Sequence, residues 1–197
     1  MIFTFLEFLK SNNIQYRFLN GYESIFNDTS NFNDNDILLT KKDFNNIDLL
    51  IKTYCDDYKF KIVQIFHQGR FSKNFFIYNE ENNFILNLDL YAEISRRNVN
   101  ILDLDKIFNT KSYYRNIPIL RSHDEFIYYL IKKIDKAIIS FSDFEKLKYL
   151  LNRFENPPSD LNDDLVHRAI EESQLFLEAA HACYARLRHI ETKENRG

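Results

Sequence analysis

Glycine and proline are scarce. Three of each in 197 residues leave few obvious breaks, so most of the chain is open to regular secondary structure. Cysteine is scarcer still, and Cys55 and Cys183 lack metal-ligand spacing, which argues against a zinc cluster. No run approaches the roughly 18 apolar residues of a membrane span. The apolar start "MIFTFLEFLK" is interrupted by Glu7, with no basic leader region or small-residue cleavage site around it, so a secretory signal is not expected and a cytoplasmic location is. Charge of one sign is missing too: 26 Lys and Arg face 29 Asp and Glu, net -3, with no sign of the broad basic surface that nonspecific nucleic-acid binding needs. What is present is a core, since 45% hydrophobic and 16% aromatic residues are enough for one well-buried domain with room for a small appendage.

Phe5, Leu6, Phe8 and Leu9 share one side of a helix that ends near "SNN", and "QYRFL" at 15–19 follows as a short strand. A polar loop from Asn20 to Asn33 leads into "DILLT", a second strand. Thr40 can then cap a helix through 41–55, striped by Phe44, Ile47, Leu50 and Ile51. Three aromatic and β-branched segments at 59–67, 70–79 and 83–92 are strands, the last two joined as a hairpin through the polar tetrad at 80–83. Alternation on its second arm sets Asn87, Asp89 and Tyr91 opposite Leu86, Leu88 and Leu90. Helices are expected from Ser122 and over "SFSDFEKLKYLL". After the break "ENPPSD", an alanine-rich helical tract is expected over 161–191, with a stripe that needs a partner surface, either the helices at 122–154 or a second subunit. The resulting fold class is α+β: a mixed sheet flanked by helices, divided as a core over 1–118, a helical region over 119–154 and a C-terminal helical appendage over 155–197.

Asp34 and Asp36 open the second strand, and acids two apart on an extended segment point to the same side, close enough to share divalent cations. Among so many Asn and Asp residues, D-x-D taken alone reads more readily as the polar end of a loop. Asp103 and Asp105 repeat the spacing, but an amphipathic helix starts there, so capping is their expected role.

The order is a strand ending at Asn20, then Gly21, a polar loop, the acid pair of "DNDIL", and the third acid of "LNLDLY" on a hairpin strand. It resembles the nucleotidyltransferase fold of the DNA polymerase beta superfamily. The likeness covers roughly residues 1–150 and is nearest to the nucleotidyltransferase-like proteins of bacterial surface-polysaccharide gene clusters, whose later segments are similar to "EISRRN" and "EFIYYLIKKIDKA". The family has Gly-Ser or Gly-Gly in the first turn, where this chain has Gly21 and Tyr22, with Ser24 as the nearby hydroxyl. Between its paired acids the family has an apolar residue, whereas here Asn35 stands there and is expected to face away from the metals at a sheet edge.

The resemblance implies a transfer of a nucleoside monophosphate from a triphosphate, ATP among the candidates, to a hydroxyl or phosphate acceptor on a small molecule, sugar phosphate or protein. It implies Asp34, Asp36 and Asp89 as catalytic ligands of Mg²⁺ or Mn²⁺, and Gly21 and Ser24 as phosphate contacts. Lys132, Lys133 and Lys136 are candidates for added phosphate contacts, Lys132 and Lys136 being one helical turn apart, with a solvated helix face as the other reading of each. A noncatalytic nucleotidyltransferase-like module that binds a partner stands as the alternative. A glycosyltransferase using Asp34-Asn35-Asp36 to hold a nucleotide sugar fits less well, because 33 preceding residues are too few for its nucleotide-binding region.

Overall fold

The computed structural model describes residues 2–26, 34–96, 99–136 and 140–153. The helical tract expected over 161–191, and with it the proposed subunit contact, lies outside the described residues. Two compact units emerge, one ending at Tyr128 and one beginning at Tyr129.

The first unit begins with helix α1 (Ile2–Ser11), which buries Phe5, Leu6, Phe8 and Leu9 at helical spacing. Asn13 (φ 56°) takes the left-handed conformation that ends it, and the Ile14 N–H reaches back to the Leu9 carbonyl at 2.9 Å. Strand β1 (Tyr16–Asn20) follows, then a 3-10 turn at Ser24–Phe26 and strand β2 (Asp34–Leu39). Thr40 Oγ1 accepts from the Asp43 N–H, as expected of a cap. The single helix expected over 41–55 is two pieces, α2 (Lys41–Phe44) and α3 (Ile47–Tyr58), parted by Asn45 and Asn46. Asparagine competes with the helix for its own backbone bonds, so two in succession make a natural joint.

Strands β3 (Phe60–Gly69), β4 (Ser72–Asn79) and β5 (Phe84–Tyr91) form a meander, with Asn83 (φ 48°) closing the second turn. Short pairs β6 (Ser95–Arg96) with β7 (Val99–Asn100), and β8 (Tyr113–Tyr114) with β9 (Ile117–Pro118), flank helix α4 (Leu104–Asn109). Asp103 caps that helix, its carboxylate accepting from the Lys106 N–H at 3.1 Å, as the sequence predicts. Helix α5 (Ser122–Lys136) starts in the first unit.

The sheet order is β1-β2-β5-β4-β3, with β2 and β5 parallel and the other pairs antiparallel, giving a mixed five-stranded sheet flanked by helices. Alternation splits its side chains between two cores. Ile37, Leu39, Phe75, Ile77, Leu86, Leu88 and Leu90 pack with the apolar faces of α1 and α3, while Leu19 and Leu38 pack with Leu102, Ile107, Leu120 and Tyr128 on the other side. Burying each such side chain contributes about 1.5–3 kcal/mol, so both faces are covered where β1 and β2 lie.

In the second unit, helix α6 (Phe141–Leu151) opens with a capping box between Ser140 and Asp143. Among the described residues no helix is long and apolar enough to cross a membrane.

Candidate functional site

The paired acids fall where the topology changes from antiparallel to parallel. Insertion of β5 between β2 and β4 makes Asp36 and Asp89 Cα partners across the parallel pair, and sets the Cα of Asp34 opposite that of Asn87. Because β1 also borders β2, one row of paired positions crosses the whole sheet: Asn20, Asp36, Asp89, Asn74 and Phe66. A second row holds Asp34, Asn87, Phe76 and Gln64. Gly21, at φ 78°, takes the chain away from the sheet next to Asn20, a turn only glycine makes without strain. Ser24 opens the 3-10 turn beyond it.

Asp36 is 2% exposed, and Asp89 is half-buried. Amides surround them. Asn74 Nδ2 donates to Asn87 Oδ1 at 2.9 Å and makes a short hydrogen bond to Asp89 Oδ1, so one buried amide ties two neighbouring side chains of β5. Asn35 is buried within the sheet and not at its edge, which corrects the expectation. With β5 on one side and β1 on the other, β2 is an interior strand, and Asn35 Nδ2 donates to the Asn87 carbonyl at 2.8 Å.

Tyr128 is the neighbour that sequence reasoning missed. Burial pushes its phenol well above the ordinary value, and the nearby charge of Asp36, then Tyr91 and Asp89, push it the same way, with a hydrogen bond to Tyr91 adding to the shift. Only the phase of α5 against the sheet sets it there. Tyr22, which departs from the family pattern, is fully buried, and its hydroxyl donates to Glu125 Oε2 at 2.8 Å. It anchors the turn after Gly21 in the core.

Lys132 and Lys136 belong to the second unit, the first half-buried and the second exposed. Lys133 there forms an ion pair with Asp143 at 2.7 Å. The structure thus sets Asp36 and Asp89 in one row with Asn20, which Gly21 follows in the chain, and Asp34 lies two residues before Asp36. Carboxylate oxygens of this kind suit a hard divalent cation. Among the described residues, no group of three His, Cys, Asp or Glu side chains forms a metal set. No family model, curated protein or solved structure matches the chain.

Proposed function

We propose that the chain is a metal-dependent nucleotidyltransferase that moves a nucleoside monophosphate from a triphosphate to a hydroxyl or phosphate acceptor. The observation that carries this is the Cα pairing of Asp36 on β2 with Asp89 on β5, two acids distant in sequence yet adjacent in one row beside Gly21. In the reaction, an acceptor oxygen bonds to the α-phosphorus, the bond from that phosphorus to the bridging oxygen of pyrophosphate breaks, and the acceptor proton leaves to a base. Negative charge grows on the leaving oxygens. Asp34, Asp36 and Asp89 would hold Mg²⁺ or Mn²⁺, which would supply positive charge against the charge that grows on the phosphate oxygens. Backbone N–H groups near Gly21 and the Ser24 hydroxyl would bind the outer phosphates.

A noncatalytic partner-binding module is the alternative, and Tyr128 favours it, because a buried phenol beside both carboxylates takes up part of their surroundings. A thermal-shift screen of the four triphosphates with Mg²⁺ or Mn²⁺ separates the two, since a ligand that binds only the native state raises its stability by mass action. Metal-dependent stabilisation that disappears in the double variant Asp34→Asn, Asp36→Asn supports the enzyme. Stabilisation that survives in that variant sinks it. Asp103→Asn is the internal control, because asparagine caps α4 about as well as aspartate.

A further inference from the structure

A cleft of about 1040 Å³ opens on the first unit between α1, β1 and the β8–β9 hairpin. None of its lining residues belongs to β2 or β5, so it is separate from the aspartate row. Its walls carry four cations, Lys10, Arg17, Lys111 and Arg115, and one carboxylate, Glu7. Four minus one leaves a local formal charge of +3 on a chain whose net charge is -3. Cations so collected focus a field on whatever enters between them.

Two of these cations are held by neutral groups, Arg17 by carbonyls and the Phe108 ring and Arg115 by aromatic rings. Arg17 Nη1 donates to the Tyr16 carbonyl at 2.8 Å, and Nη2 donates to the carbonyls of Phe108 and Thr110 at 3.2 and 3.0 Å. All three acceptors are neutral. Its Nε is buried with no hydrogen-bond partner, and its guanidinium lies over the Phe108 ring, 5.5 Å from the centroid. Burial lowers the guanidinium from its ordinary value, with Tyr113 and Tyr16 opposing, as happens to a cation taken from water without a full counter-charge.

Arg115 is unusual in its backbone. It and Asn116 form the two-residue turn between β8 and β9, at φ 45° and 70°, where glycine, asparagine and aspartate are the favoured residues. An arginine there costs about 1–2 kcal/mol of backbone strain. Its guanidinium lies over the rings of Phe26 and Tyr114, at 4.9 and 5.7 Å, which sets a cation at the rim of the cleft. Beside these charges, Phe3 and Tyr113 line the cleft at 43% and 58% exposure, leaving ring surface open.

We infer that this cleft binds a phosphorylated small molecule that carries a flat ring, its phosphate among Lys10, Arg17, Lys111 and Arg115 and its ring against Tyr113 and Phe3. Charge-assisted hydrogen bonds would hold the phosphate, and ring contact would separate such a ligand from free phosphate.

Calorimetric titration of the full chain with phenyl phosphate tests this, with inorganic phosphate and a hexaglutamate peptide as the other arms. The variant Lys10→Gln, Lys111→Gln, Arg115→Gly removes three cations from exposed positions, and glycine suits the left-handed turn, so its melt should be no lower than the parent's. Phenyl phosphate should bind saturably, more tightly than inorganic phosphate and less tightly as salt rises, and the triple variant should lose about tenfold or more in affinity. The double variant Asp34→Asn, Asp36→Asn should bind it as the parent does, which keeps this cleft independent of the nucleotidyltransferase proposal. Phenyl phosphate binding that is absent, or unchanged in the triple variant, overturns the inference. So does hexaglutamate binding without phenyl phosphate binding, which would assign the cleft to acidic protein segments.

Discussion

Tyr22 and Glu125 meet in the core of the first unit, the tyrosine hydroxyl donating to the carboxylate at 2.8 Å with both side chains buried. The contact ties the turn after Gly21 to the first turn of α5. Tyr22→Phe keeps the ring beside Tyr114, 5.1 Å between centroids, and removes only the donor. A buried carboxylate that loses a hydrogen bond costs about 1–3 kcal/mol, so the urea midpoint should fall. An unchanged midpoint would show that another donor replaces the hydroxyl.

Asn74 joins Asn87 to Asp89 through one amide nitrogen. Asn74→Asp is nearly isosteric but turns the donor into an acceptor and places a second carboxylate against Asp89. It should destabilise the protein by about 1–3 kcal/mol at neutral pH, with part of the loss recovered in mild acid as one of the pair takes up a proton. Chemical melts of parent and variant at two pH values measure this. A variant that loses equal stability at both would show that shape, and not charge, is at fault.

The second unit should be sensitive to acid. Burial pushes the Asp143 carboxyl up, but hydrogen bonds from Lys133, Tyr129 and Ser140 outweigh it and hold the group well below its ordinary value of 3.8. A depressed folded value means that the stabilisation is fully present above the unfolded value and is lost as pH falls through the folded one. Unfolding of α6 should therefore become easier below about pH 4 in the parent, and Asp143→Asn should flatten that dependence while lowering stability at pH 7. Parallel pH profiles for parent and variant would refute the assignment.

Cys55 should be chemically quiet. It is 5% exposed, and burial, with Asp56 adding, pushes its thiol up to about 11, so almost none is thiolate at pH 8. Peptide-resolved mass spectrometry after iodoacetamide treatment should find Cys55 unmodified in the native protein and modified in urea. Equal labelling in both states would show that α3 opens readily.

Much of this arrangement was legible in the sequence because alternation and turn chemistry are local. The tetrad at 80–83 fixes the hairpin register, and counting outward from it puts Asn74 opposite Asp89, a partner that the reading of acids alone passed over. The cap at Asp103 was legible from one helix start. What was not legible depends on distant segments: the insertion of β5 beside β2, which makes Asn35 an interior residue, and the helix phase that sets Tyr128 near the acids. Alternation gives each strand two faces without naming its neighbours.

The parallel pairing of β2 with β5 also fixes when the aspartate pair comes into being. Hairpins such as β4–β5 join neighbours in the chain, whereas β2 and β5 must close a loop of about fifty residues, at a larger entropic cost. On the ribosome, Asp36 is therefore made well before it has a partner. Two acids that would repel if brought together early are joined only as the sheet closes, and a cut in the exposed 80–83 turn after closure would leave them side by side on separate polypeptides.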